Sequence, residues 1–140
     1  MITYVDTSTL LKLLVEEDGS DRAALVWDRA DGLNSAALVS VEAQAALAAA
    51  VRGHRLTPAQ HRRARSGLVE LVDELNIVQI TEDLIDRASD LAEREALRGY
   101  DAIHLAAALT VQADVLTSAD TDLCEAAQRR GLHVANPLEY

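Results

Sequence analysis

The chain has 140 residues, of which 49% are hydrophobic and 26% charged, and a formal net charge of -10. That length suits a single domain, residues 1–140, able to bury roughly 70% of the surface its unfolded chain exposes, and a composition so near the globular average excludes long disorder. Cys124 is the only cysteine, which excludes an internal disulfide and makes a reducing cytoplasm the expected setting; with no signal-like basic n-region and no apolar run approaching about 18 residues, neither export nor a membrane span is expected.

Met1 to Val5 is an apolar run that stops at Asp6, and Thr7-Ser8-Thr9 leads into Leu10, Leu11, Leu13 and Leu14 at helical spacing, so a strand, a turn and a helix are predicted. A second helix is predicted from about Ser20 to Arg29, closed by Asp31-Gly32 before a short strand around Ser35 to Val39. Ser40 is the predicted cap of the Ala-rich helix that carries Glu42. Thr57 as N-cap with Pro58 at the first helical position opens the next helix, whose Leu68, Leu71, Val72 and Leu75 form one apolar stripe. Ile77 to Ile80 reads as a buried strand, and Thr81 caps a helix with Leu84, Ala88 and Leu91 turned inward and Gly99 at its end. Asp101 to Val111 is apolar nearly all round, as a helix packed centrally on a sheet would be. Val115-Leu116 is a short strand, Asp120 to Arg130 a helix stopped by Gly131, and Leu132 to Val134 the last strand. Short apolar strands alternating with helices predict an α/β domain with a mainly parallel sheet.

Acids recur at the junctions of this pattern: Asp6, Glu42, Asp101 and Asp120 each stand where a helix begins. Ligand sites in open parallel sheets lie beyond the carboxyl ends of the strands, where all four can meet. A helix N-terminus favours each nearby carboxylate by only about 0.3 to 1 kcal/mol, so four crowded acids would raise one another's pKa values unless a cation entered. All four are hard oxygen donors and no Cys/His pair has zinc-like spacing, so Mg²⁺, or Mn²⁺ in its place, is the expected ion. The chemistry such a group of acids serves is hydrolysis of a phosphodiester by metal-activated water. The local alternative makes Asp6 and Asp120 N-caps and Glu42 and Asp101 first-turn acids, but gives no reason why every junction should be acidic. Asp122 is expected to be a solvated first-turn acid, and His104, one turn beyond Asp101, a hydrogen-bonded core histidine within reach of the same cavity.

The charge is uneven. No acid lies between Glu42 and Glu70, while Arg52, Arg55, Arg62, Arg63 and Arg65 make that segment about +5 and leave the rest of the chain at -15. These arginines could guide an RNA or DNA backbone, form a solvated helix face or meet a protein partner. With no Phe and one Trp, base stacking has little to work with. His54, His61 and His133 have no evident nucleophile partner, so Ser-His-Asp and Cys-His chemistry gains no support. A phosphoacceptor Asp6 also fits poorly, because Ser8 stands where such phosphatases carry a second aspartate and the only lysine, Lys12, lies in the first helix.

Taken in order, Val5-Asp6-Thr7-Ser8, Ser40-Val41-Glu42, Tyr100-Asp101-Ala102-Ile103-His104-Leu105-Ala106-Ala107-Ala108 and Thr117-Ser118-Ala119-Asp120-Thr121-Asp122-Leu123, with Gly131-Leu132 and Asn136-Pro137 near the end, resemble the PIN-domain family over nearly the whole chain. More narrowly, the chain is similar to VapC-type toxins of bacterial toxin-antitoxin pairs. The resemblance implies a PIN-like αβα sandwich with a central five-stranded sheet, and an Mg²⁺-dependent endoribonuclease whose acidic quartet is Asp6, Glu42, Asp101 and Asp120. It also implies a homodimer, a structured RNA substrate such as transfer RNA, and a cognate antitoxin whose tail occludes the acidic pocket; the alternative is a catalytically weak PIN-fold protein acting mainly through that partner. The family commonly has Thr two positions before its fourth acid. Here Ser118 holds that place with Thr117 behind it, so either hydroxyl is open as the one that orients a ligand, and Leu123 favours Asp120 over Asp122 as the acid.

Overall fold

The computed structural model describes residues 1–139, leaving Tyr140 outside. Five short strands, β1 (Ile2–Val5), β2 (Gly32–Ala36), β3 (Asn76–Val78), β4 (Val115–Thr117) and β5 (His133–Ala135), form one sheet in the order β3-β2-β1-β4-β5, parallel throughout. The helices between them are α1 (Thr7–Leu14), α2 (Ser20–Arg29), α3 (Leu38–Arg52), α4 (Pro58–Asp73), α5 (Glu82–Glu95), α6 (Gly99–Thr110) and α7 (Thr121–Arg129).

Successive strand residues point to opposite faces, and here that splits the core in two. Tyr4, Ala36 and Leu116 face α5, α6 and α7 through Leu84, Leu91, Leu105 and Leu123. Val5 faces the other way, with Leu10, Val39, Ala43, Leu68 and Leu75. Both faces of the sheet are covered, giving the αβα sandwich expected of a buried parallel sheet. Helix α6 settles closely because its inward residues Ala102, Ala106, Ala107 and Ala108 are small and fully or almost fully buried. Strand order reverses at β1, so a crevice opens between the carboxyl ends of β1 and β4.

Several boundaries differ from the sequence expectation. β2 covers Gly32–Ala36 rather than Ser35 to Val39, and Leu38 and Val39 already belong to α3, whose N-cap is Ala37 and not Ser40. A short apolar run such as Ala36 to Val39 fits strand or helix equally well. The true strand instead holds Asn34 and Ser35, polar residues that burial tolerates because the Ser35 hydroxyl donates to the Val5 carbonyl at 2.7 Å and the Asn34 amide to the Thr3 carbonyl at 3.4 Å. β3 ends at Val78 and is half-buried rather than buried, since it is the edge strand, and Ile80 is exposed. Helix α5 ends not at Gly99 but at Glu95, with Ala96 in the left-handed region at φ 53°. That strained Ala is offset by its neighbour Leu97, which turns into the core and donates its N–H to the Ala92 carbonyl. Gly99 opens α6 instead. The Thr57-Pro58 start of α4 forms as expected, a capping box closed by Gln60.

Candidate active site

Asp6 follows the last residue of β1. Its backbone extends the sheet, donating to the Thr117 carbonyl at 3.0 Å, and its own carbonyl accepts from Thr9 and Leu10 to start α1. The side chain takes no part in capping. It turns instead into the crevice, where Oδ2 accepts the hydroxyls of Ser8 at 2.7 Å and Ser118 at 2.8 Å. Ser118, fully buried, in turn accepts the Asp120 N–H at 2.9 Å, and Ser8 accepts that of Ala119, so the loop after β4 is tied to the start of α1. Thr117 bonds away from the crevice, to Thr9. The hydroxyl left open between Thr117 and Ser118 is therefore Ser118's.

Glu42 lies in the second turn of α3, not the first, because that helix begins at Leu38. Its Oε1 accepts the Thr7 hydroxyl at 2.7 Å and lies 2.5 Å from Nε2 of His104. His104 is wholly buried, with Nδ1 2.7 Å from the Tyr4 hydroxyl and Nε2 3.5 Å from Asp6 Oδ1. Burial alone would lower the imidazole pKa, but the bond to Glu42 and the charges of Asp6, Glu42 and Asp101 hold it above the ordinary histidine value. The surrounding carboxylates thus favour the protonated ring, with Nε2 facing Glu42. Burial likewise pushes the Glu42 carboxyl up, and the bond and charge of His104 with the Thr7 hydroxyl outweigh it and hold the group below the ordinary range. His104 is both the core histidine expected and a member of the acidic site.

Asp101 sits in the first turn of α6, 8% exposed, and Asp120 is the N-cap of α7, its Oδ1 accepting from Leu123 N–H at 3.1 Å. Between the two lies Arg98. Its Nε is 3.4 Å from Asp101 Oδ2 and its Nη2 3.0 Å from Asp120 Oδ2. Burial, followed by the neighbouring charge of Asp120, raises the Asp101 pKa; Arg98 opposes the rise and Asp6 adds to it.

Two of the four acids stand where the local alternative put them, Asp120 capping α7 and Asp101 in the first turn of α6, while the Asp6 side chain makes no cap bond and Glu42 lies beyond the first turn. Asp6 and Asp101 are nevertheless buried, which carboxylates rarely are without a partner. Among the described residues no buried side-chain N or O lacks a hydrogen bond, so Asp6 Oδ1, Glu42 Oε2 and Asp101 Oδ1, none of which is hydrogen-bonded, keep some exposure to solvent. Three carboxylate oxygens with open lone pairs, one of them on an acid whose pKa is raised by burial and by like charge, suit a hard divalent cation. The nearby sulfur does not compete: Cys124 bonds to the Ser118 carbonyl, and burial with the charges of Asp6 and Asp120 raises its thiol pKa to about 11. The acids do not form a ready cage, however. Among the described residues no three His, Cys, Asp or Glu side chains are arranged to grip an ion. His104 stands between Asp6 and Glu42, and Arg98 between Asp101 and Asp120.

Sequence reading had missed Thr7, Ser8 and Arg98 as site residues. Ser8 two positions after Asp6 and Arg98 three before Asp101 were spacings at which those side chains could have been sought. Asp122 is exposed in the first turn of α7, as expected. Arg52 at the end of α3, Arg55 in the loop that follows, and Arg62, Arg63 and Arg65 on α4 are all exposed.

The PIN domain model matches residues 3–129. Over 110 residues the chain is 40% identical to Ribonuclease VapC45 of Mycobacterium tuberculosis, covering 79% of this chain and 76% of that protein. Ribonuclease VapC47 of the same species is 31% identical over 136 residues, 96% of each chain. Among solved structures, the toxin-antitoxin complex from Klebsiella pneumoniae superposes with a TM-score of 0.67 at 23% identity over 99% of both chains, which speaks for the fold.

Proposed function

The chain belongs to the PIN-domain family and is of the VapC type, and from that premise we propose that it is an Mg²⁺-dependent endoribonuclease, the toxin of a type II toxin-antitoxin pair acting in the cytoplasm. The observation that carries the reading is that Asp6 and Asp101 keep buried carboxylates beyond the carboxyl ends of β1 and β4 with no capping role and one oxygen each that is not hydrogen-bonded. Ribonuclease names on the relatives at 40% and 31% identity support the reaction class. The toxin-antitoxin complex among the structural neighbours supports a protein partner.

Asp6, Glu42, Asp101 and Asp120 are the residues that would hold the metal. Bound there, Mg²⁺ supplies Lewis-acid chemistry, lowering the pKa of water and neutralising charge on the phosphate. The rest falls to the chain. Ser8 and Ser118 fix one oxygen of Asp6 so that the other faces the crevice. His104 and Thr7 fix one oxygen of Glu42 and keep that group ionised. The arginines of the α3–α4 arm, about +5 in a chain of net charge -10, supply the attraction a polyanion needs away from the acids that repel it. Hydrolysis consumes one water and breaks one phosphorus–oxygen ester bond, leaving a phosphate on one fragment and a hydroxyl on the other. A structured RNA such as transfer RNA as substrate, a homodimer as the working unit and one nuclease domain over residues 1–140 complete the proposal.

Purified protein is expected to cut RNA with Mg²⁺ and to stop in EDTA. Asp6→Asn and Asp101→Asn are each expected to lose more than about 100-fold in cleavage rate, since even groups that only orient metal ligands are worth 10- to 100-fold, while circular dichroism shows both still folded. Undiminished cleavage by either folded variant overturns the reading.

A further inference from the structure

The four acids are not equally ready for a cation. Glu42 and Asp101 each have one oxygen without a partner and Asp6 Oδ1 meets only His104 Nε2 at 3.5 Å, but both oxygens of Asp120 are engaged: Oδ1 accepts the Leu123 N–H at 3.1 Å and Oδ2 is held by Arg98 at 3.0 Å. The cap on Oδ1 fixes the start of α7, so Oδ2 is the only oxygen of Asp120 that can change partner without unwinding the helix. Arg98 also reaches Asp101 Oδ2 at 3.4 Å, so one guanidinium spans two acids that repel each other. We propose that Arg98 is a tethered counter-ion for this pocket, occupying Asp120 Oδ2 in the metal-free protein, and that a divalent cation takes its full ligand set only by displacing it.

The proposal rests on the reading of the four acids as a cation site and adds a competitor built into the chain. Three features favour displacement over permanent pairing. The Arg98 side chain is 78% exposed, so on release it returns to water at little desolvation cost, and exposed ion pairs are weak. A divalent ion approaches carboxylate oxygen to about 2.0 to 2.1 Å and carries twice the charge, so it outcompetes a guanidinium once dehydrated. Arg98 is also the N-cap position of α6 and makes no side-chain cap bond, so swinging its side chain out leaves the backbone of α6 in place. In return, the metal-free pocket is spared two bare, adjacent carboxylates.

The experiment is Mg²⁺ binding by isothermal titration calorimetry on wild type and Arg98→Gln, with the ¹H–¹⁵N signal of the Arg98 Nε–H followed in wild type during the same titration. Arg98→Gln is expected to bind Mg²⁺ roughly 2- to 30-fold more tightly, the range given by removing two exposed ion pairs, and the wild-type Nε–H signal is expected to shift toward that of a free, exchanging arginine as Mg²⁺ saturates. Circular dichroism in EDTA checks that the variant is folded, which an exposed position favours. Equal or weaker binding by folded Arg98→Gln, or an Nε–H signal unmoved at saturation, overturns the proposal while the metal-dependent reading stands. Absence of Mg²⁺ binding in both proteins overturns the two together.

Discussion

Asp6, Ser118 and His104 in the acidic crevice are almost wholly buried, and each has hydrogen-bond partners from at least two segments of the chain. On the α3–α4 arm, Arg52, Arg55, Arg62, Arg63 and Arg65 are all exposed and, among the described residues, none forms an ion pair. The two regions carry opposite charge and opposite degrees of restraint. In the crevice each of these three side chains is placed by others, so geometry is costly to change; on the arm only the helix beneath is fixed, by Ala64 and Leu68, and the charged ends are free to fit a partner. A catalytic site needs the first arrangement, and attraction to a polyanion is served by the second.

The largest effect should come from the layer beneath the crevice. Leu116, in the middle of β4 and fully buried, packs between Tyr4 and α6, and Leu116→Ala is expected to cost about 2–5 kcal/mol in urea unfolding. A cost below 1 kcal/mol would mean the crevice rests on a looser scaffold than its hydrogen bonds suggest.

Next in size is the pH response of the crevice. The His104 pKa is raised above its ordinary value of 6.5, so the stability it contributes is fully present below that pH and is lost as pH rises through the raised value. In EDTA, the melting temperature of wild type is therefore expected to fall as pH is raised through that window, and the profile of His104→Gln, which has no titrating ring, to be flatter. Parallel profiles would remove the buried imidazolium from the account.

The smallest effect on stability belongs to the arm. Arg62→Gln with Arg65→Gln is expected to change unfolding free energy by no more than about 0.5 kcal/mol. The same pair should weaken RNA binding and reduce the slope of log affinity against log salt by about 1 to 2, the mark of lost phosphate contacts. An unchanged slope would leave those arginines to a protein partner and sharpen the contrast differently.

Much of the architecture was legible in the chain because local signals agreed. The Thr57-Pro58 cap and the apolar length of α6 each had one reading, and the structure holds them as such; the Leu68-Leu71-Val72 stripe also forms, with Leu75 reaching the same core from just past the end of α4. Where two readings of a segment were close in energy, sequence placed the boundary wrongly: Leu38 and Val39 went to a strand, and Gly99 was given the helix stop that Ala96 supplies.

Sequence by itself determined the alternation of strand and helix, and hence a sheet whose carboxyl ends gather the residues that follow β1 and β4, because periodicity and capping are set within a few residues of chain. Only the tertiary structure decided what those residues do on arrival. That Asp6 turns away from the helix it precedes, that Ser118 rather than Thr117 holds it, that His104 stands between two acids and that Arg98 closes on Asp120 are contacts between segments up to 112 residues apart. No local propensity encodes them, since each depends on which side chains the packed sheet brings within hydrogen-bond reach.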